Sequence, residues 1–143
     1  MKKWIVILAT LLIAILGFLW WQQHPQDKEF MKSLMLHQPV DKTEIDAMHM
    51  WVQGEDPQRI PLDENIQLID SFNEYEASRV SEEKAPQAEA QIMFNLQSGY
   101  TIILNYVDST IYVSRDDVGA GLVEYVLLDD APLLEASFEN SLP

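Results

Sequence analysis

Apolar and polar residues fall into three regimes along this chain. Positions 4 to 21, WIVILATLLIAILGFLWW, carry no charge, and only Thr10 and Gly17 lie outside the hydrophobic set. At about 1.5 Å per helical residue, such a run reaches roughly 27 Å, close to the hydrocarbon thickness of a bilayer. Trp4 at one end and Trp20 and Trp21 at the other suit the two membrane–water interfaces. A core helix of a globular domain would carry a polar stripe, and none is present. A cleaved signal peptide wants small residues at its cleavage site, whereas Phe18-Leu19-Trp20-Trp21 runs into Gln22-Gln23-His24-Pro25. The pattern predicts an uncleaved transmembrane anchor over 4–21, preceded by a short cytoplasmic stretch at 1–3.

The second regime, residues 22–43, is a mixed connector punctuated by Pro25 and Pro39. Phe30, Met31, Leu34 and Met35 recur within it at helical spacing, which predicts a short amphipathic helix.

The third regime, residues 44–143, alternates as a folded domain should. In 44–53, Ile45, Ala47, His49 and Trp51 would share one strand face and Met48, Met50 and Val52 the other. Two largely apolar faces predict an interior strand. Gly54-Glu55-Asp56-Pro57 reads as a turn. Asp63 is a suitable helix N-cap, with Glu64 at the positive end of the dipole. Ile66, Ile69, Phe72 and Tyr75, with Leu68, then mark one apolar face of a helix of three to four turns. Residues 76–89 are polar with Pro86 inside and read as helix end and exposed loop.

Beyond them lie four strands in antiparallel succession. Ile92, Phe94 and Leu96 alternate with polar partners, and Ser98-Gly99 is a two-residue hairpin signal. Residues 100–107 and 110–114 flank a tight turn at Asp108-Ser109, and a Gly-containing loop leads to 122–128. Residues 129–143, with Leu133, Leu134 and Phe138, read as a short helix or a tail. The expected fold class is α+β: an N-terminal transmembrane helix, then a small domain with one main helix packed on an antiparallel β-meander.

Charge is divided as unevenly as hydropathy. The 143 residues hold 9 basic and 23 acidic side chains, a net −14. Only Lys2 and Lys3 fall in the first 21 residues, so the other 122 carry 7 basic and 23 acidic groups, or −16. That excludes a general nucleic-acid binder, which needs a basic footprint to displace phosphate counterions. It also opposes an electrostatic hold on anionic lipid, leaving residues 4–21 as the contact with the bilayer. The lysines before the anchor favour a cytoplasmic N-terminus, with the acidic domain outside the cytoplasmic membrane. The chain has no cysteine, which removes disulfides, thiolate catalysis and Cys-based zinc sites.

Candidate chemistry is sparse. Met48, His49 and Met50, with Met31, Met35 and His37 upstream, have the soft donors that suit Cu(I). On a strand, however, His49 points away from both methionines, so core packing for the methionines and a hydrogen-bonded His49 is the stronger reading. Asp116-Asp117 and Asp129-Asp130 offer oxygens for Ca²⁺ but no EF-hand spacing, and a strand holds the pairs roughly 20 Å apart. They read as solvated turn residues. Asp63 and Glu64 are carboxylates without a recognisable catalytic partner, and no hydrolase, zincin, Walker or Rossmann fingerprint is present. An enzyme is therefore not expected, and no cofactor or metal is implied. Trp51, Tyr100, Tyr106, Tyr112 and Tyr125 supply the aromatic area that protein interfaces favour. Parity alone divides them between core and surface without saying which is which.

The apolar N-terminal run, the segment from Leu62 to Glu74 (LDENIQLIDSFNE) and the hairpins that follow Ile92 resemble the YfmQ-like small membrane-anchored proteins of bacilli. The resemblance implies an anchored α+β domain and brings no catalytic residue. The expected role is a non-enzymatic extracytoplasmic binding domain with a protein partner in the cell envelope. Two alternatives stand beside it: a copper-handling protein, and an immunity-type inhibitor of a basic secreted partner.

Overall fold

The computed structural model describes Leu11, residues 13–15, residues 36–119 and residues 121–141. The chain divides into two compact units, Met1–Lys32 and Ser33–Pro143. In the first, Leu11 and residues 13–15 are helical, and Leu11, Ile13 and Ile15 are exposed. The rest of the expected anchor, and the expected amphipathic turn with Phe30, Met31, Leu34 and Met35, lie outside the described residues. Among the described residues, no helix is long and apolar enough to cross a membrane.

The second unit is α+β. Its strands are β1 (Ile45–Val52), β2 (Gln58–Ile60), β3 (Val80–Glu82), β4 (Ala90–Leu96), β5 (Thr101–Val107), β6 (Thr110–Arg115) and β7 (Val123–Leu127). Its helices are α1 (Ile66–Glu74) and α2 (Pro132–Glu139). The strands form one antiparallel sheet in the order β2-β1-β4-β5-β6-β7-β3.

The β4-to-β7 meander follows from core residues placed at every second position, strictly so in β4. Ile92, Leu104, Val113 and Tyr125 sit in one line across the four strands, and all are fully buried. Asp108 and Ser109 both take positive φ (46° and 61°), as the twist of a two-residue hairpin demands. The β4–β5 connection is wider than expected. The Leu96 N–H donates to the Tyr100 carbonyl, so Gln97, Ser98 and Gly99 form a three-residue loop with Gly99 at φ 88°. Glycine takes that left-handed conformation without steric penalty.

One face of the sheet carries the core. Leu68, Ile69 and Phe72 of α1 and Leu134 and Phe138 of α2 pack on Met48, Phe94, Ile102, Leu104 and Tyr106. Phe72 meets Phe94 edge-on at 6.0 Å, and Tyr106 stacks on Phe138 at 5.0 Å. Each such side chain contributes roughly 1.5–3 kcal/mol through burial. The two short segments at the sheet edges, β2 and β3, were not expected. Three residues are too few for a period to emerge, and both form only by pairing with an existing neighbour.

Further details refine or correct the sequence reading. Ile45 lies on the core face with Met48 and Val52, because Asp46 is an extra residue where the β1–β4 register shifts. Such a bulge inverts the parity of everything before it. Helix α1 starts at Ile66 with Asn65 as its cap residue, so Asp63 is no N-cap. The Asn65 side chain is turned back, donating to the Pro61 carbonyl at 2.8 Å. The helix has nine residues, fewer than three turns, and Ile66 is exposed. The C-terminal segment resolves as helix, with the Glu135 carboxylate accepting from the Ala131 N–H at 2.8 Å. Finally, the compact unit reaches upstream of residue 44: Val40 belongs to the core, and Asp41 caps a 3-10 turn at Lys42–Glu44.

Candidate functional site

Two places in the domain concentrate polar side chains, one on each side of the sheet. The first is the face turned away from the helices. Side chains there alternate with the core positions of every strand. One row across the sheet is Trp51, Gln91, Asn105, Tyr112 and Val126; the next is His49, Met93, Ile103, Ser114 and Glu124. Among the described residues, both helices send their buried side chains to the other face. Trp51, Met93, Ile103 and Tyr112 are half-buried here.

Hydrogen bonds run along this face. Gln91 Nε2 donates to Asn105 Oδ1 at 2.7 Å, Asn105 Nδ2 donates to Ser114 Oγ at 3.1 Å, and Ser114 Oγ reaches Glu124 Oε1 at 3.4 Å. Asn95 Nδ2 and His49 Nδ1 lie 2.9 Å apart. This ladder fixes the rotamers of the polar side chains between the apolar ones, so the surface is preorganised. Trp51 and Tyr112 stand three strand spacings apart, roughly 14 Å.

The five aromatic candidates separate cleanly. Trp51 and Tyr112 lie on the outward face, and Tyr100 is exposed in the β4–β5 connection. Tyr106 and Tyr125 are corrected to core residues: both lie on the helix-covered parity and expose 4% and 0% of their surface. They offer nothing to a partner.

The second concentration was not foreseen and lies beneath α1. Arg115 exposes only 1% of its surface. Its Nε and Nη2 donate to the two Asp117 carboxylate oxygens at 2.7 and 2.5 Å, and Nη1 donates to the Gln38 carbonyl at 2.6 Å. The guanidinium carbon stands 5.5 Å from the Phe72 ring centroid. Burial is the largest single influence and pulls the guanidinium toward neutrality; the Asp117 hydrogen bonds, the Asp117 charge and the Tyr125 oxygen together outweigh it, so its pKa ends raised.

His37 stands beside it. Nε2 lies 2.9 Å from the Phe72 carbonyl and Nδ1 lies 2.8 Å from the Tyr125 hydroxyl. A carbonyl only accepts, so Nε2 carries the proton and Nδ1 accepts from Tyr125. Burial lowers the His37 pKa from 6.5 to about 4; the Phe72 contact raises it and Arg115 lowers it further. Burial likewise pushes the Tyr125 hydroxyl well above its usual range. A signal for Arg115 did exist: it continues the period-2 line Ile111, Val113, and an arginine at core parity must be paired.

The remaining candidates have structural partners. Met48 is in the core, Met50 packs against the core's edge, and His49 lies on the opposite face, so they do not converge. Met31 and Met35 lie outside the described residues. Among the described residues, no group of three or more His, Asp or Glu is placed to hold a metal ion. Asp116 accepts from the Thr101 N–H at 2.8 Å, Asp117 pairs with Arg115, and Asp129 pairs with Arg79. Three of the four turn aspartates are thus built into the fold, which corrects the reading of them as merely solvated. A groove of about 400 Å³ lined by Met50, Val52, Ile60 and Leu68 also holds Ser137 and Ser141. Both hydroxyls donate to helix carbonyls one turn back, and the Glu55 and Asp56 carboxylates line the same groove.

Comparison with protein-family models, with curated proteins and with solved structures found no match.

Proposed function

We propose that this chain is a membrane-anchored, extracytoplasmic binding domain that acts without catalysis and meets a protein partner of the cell envelope through the outward face of its sheet. The observation that carries this reading is the Trp51–Gln91–Asn105–Tyr112 row: apolar anchors set on a hydrogen-bonded polar ladder, with no described helix above them. Interface anchors of this kind are aromatic and held rigid by their surroundings. The acidic balance of residues 22–143 favours a cationic partner and a salt-sensitive association. Support for the anchor comes from the uncharged run at 4–21 and from the exposed, helical Leu11, Ile13 and Ile15 within it.

The test is affinity capture from detergent-solubilised envelopes. Full-length chain is expected to recover a basic protein that salt releases and that a Trp51→Ala, Tyr112→Ala double variant does not recover. Equal recovery by the double variant, or a hydrolytic turnover by the purified chain, overturns the reading. Alkaline extraction tests the anchor: the chain stays with the membrane pellet if 4–21 spans the bilayer and enters the supernatant if it does not.

A further inference from the structure

The His37 cluster joins elements that are distant in sequence. Leu36 to Thr43 precedes β1 within the Ser33–Pro143 unit, and several contacts fasten it to the domain. Asn73 in α1 clamps Val40 from both sides: its Oδ1 accepts from the Val40 N–H and its Nδ2 donates to the Val40 carbonyl, each at 2.8 Å. Arg115 in β6 holds the Gln38 carbonyl. His37 bridges α1 and β7. Lys42 pairs with Asp70 in α1 at an exposed position.

We propose that the Leu36–Thr43 segment is a proton-operated latch, closed while His37 is neutral and released from α1, β6 and β7 when the ring takes a second proton.

Nε2–H is committed to the Phe72 carbonyl, so the arriving proton must go on Nδ1, the atom that receives the Tyr125 hydroxyl hydrogen. The hydroxyl would then have to accept from the ring, leaving its own hydrogen to find a new acceptor. The groups that face His37 do not welcome a positive charge. From β6 comes the Arg115 guanidinium; from β7, the neutral Tyr125; from α1 and its C-cap, the Phe72 carbonyl and the rings of Phe72 and Tyr75 at 4.7 and 5.8 Å. The nearby carboxylate, Asp117 in the β6–β7 loop, already has both oxygens on Arg115. A charged His37 is accommodated only by leaving the site, and the contacts of Gln38 and Val40 go with it. The lowered pKa agrees in sign. Releasing eight residues would free a tether of up to roughly 27 Å at about 3.3–3.6 Å per residue. That gain in reach rests on the proposed anchor; the latch does not.

Full-length, isotope-labelled chain in detergent micelles provides the test. Ring-nitrogen shifts of His37 are expected to show the neutral Nε2–H tautomer at pH 7. Between pH 7 and pH 3.5, protection of the Val40 amide, normalised to unstructured-peptide exchange, should fall about tenfold or more while the Leu104 amide in β5 stays protected. A His37→Gln variant can donate to Phe72 and accept from Tyr125 without titrating, and should hold Val40 protection at both pH values. Should that variant not fold, Tyr125→Phe removes the hydroxyl facing Nδ1 and should move the release midpoint to higher pH. The proposal is overturned if Val40 stays protected once His37 is charged, if Val40 and Leu104 open together, if His37→Gln releases as the native chain does, or if Tyr125→Phe leaves the midpoint in place.

Discussion

The two faces of the sheet are built from the same strands and obey opposite rules. On the helix-covered face, polar groups survive only as a closed set: Arg115, Asp117, His37 and Tyr125 satisfy one another and two backbone carbonyls beneath α1. On the outward face, polar side chains form a ladder that starts at half-buried Gln91 and ends at half-buried Glu124. Among the described residues no buried side-chain nitrogen or oxygen lacks a partner. The difference lies in what removing a group exposes. Under the helices it leaves a void or an uncompensated charge. On the outward face it leaves a site that water reaches at the ladder's half-buried ends, with only Asn105 and Ser114 buried between them.

That contrast is open to attack at several strengths. The largest effect is expected for Phe138→Ala, which opens a cavity beside Tyr106 and should cost about 3–5 kcal/mol in denaturant unfolding. Asp117→Ala comes next. It strands the buried Arg115 guanidinium and should cost roughly 3 kcal/mol, whereas Arg115→Met, which removes the charge itself, should cost clearly less.

Stability should also depend on pH through His37. Its pKa is lower in the fold than in the unfolded chain, so the unfolded chain binds the proton first. The contribution is fully present above pH 6.5 and is lost as pH falls toward about 4, by roughly 3 kcal/mol in all. His37→Gln should flatten that part of the stability–pH curve. Across the sheet, Asn105→Ala takes the partner from Gln91 and leaves Ser114 only its Glu124 contact, and should cost about 1–2 kcal/mol. Trp51→Ala and Tyr112→Ala should each cost about 1 kcal/mol or less, since both side chains are already partly in water. Either one matching Phe138→Ala would erase the distinction between the faces.

How much of this was legible depends on the length of each signal. The β4-to-β7 meander has five or more residues per strand, and its four strands and their order follow from the residues alone, while their ends shift by a residue or two and the β4–β5 loop is wider. The parity of β1 was readable from Met48 onward and failed at Ile45, because a single bulged residue leaves no compositional mark. Strands β2 and β3 have no pattern of their own. The start of α1 was misplaced because Asp63 is a good cap in isolation, while the chain instead turns through Leu62–Asn65. The outward surface was half legible: the aromatics were identified, but only the position of the helices says that Trp51 and Tyr112 face out while Tyr106 and Tyr125 face in. The buried cluster was the least legible part. Its members come from the connector, two strands and a loop, and nothing local links His37 to Tyr125, 88 positions away.

The central claim is that the outward face is the one that meets a partner. Photo-crosslinking in intact cells tests it most directly, with the reactive group placed in turn at 51 and 112 on that face and at 66 and 133 on the exposed sides of the helices. The account predicts one discrete adduct from 51 and 112 and none from 66 and 133. Adducts from 66 and 133 with none from 51 and 112 would contradict it.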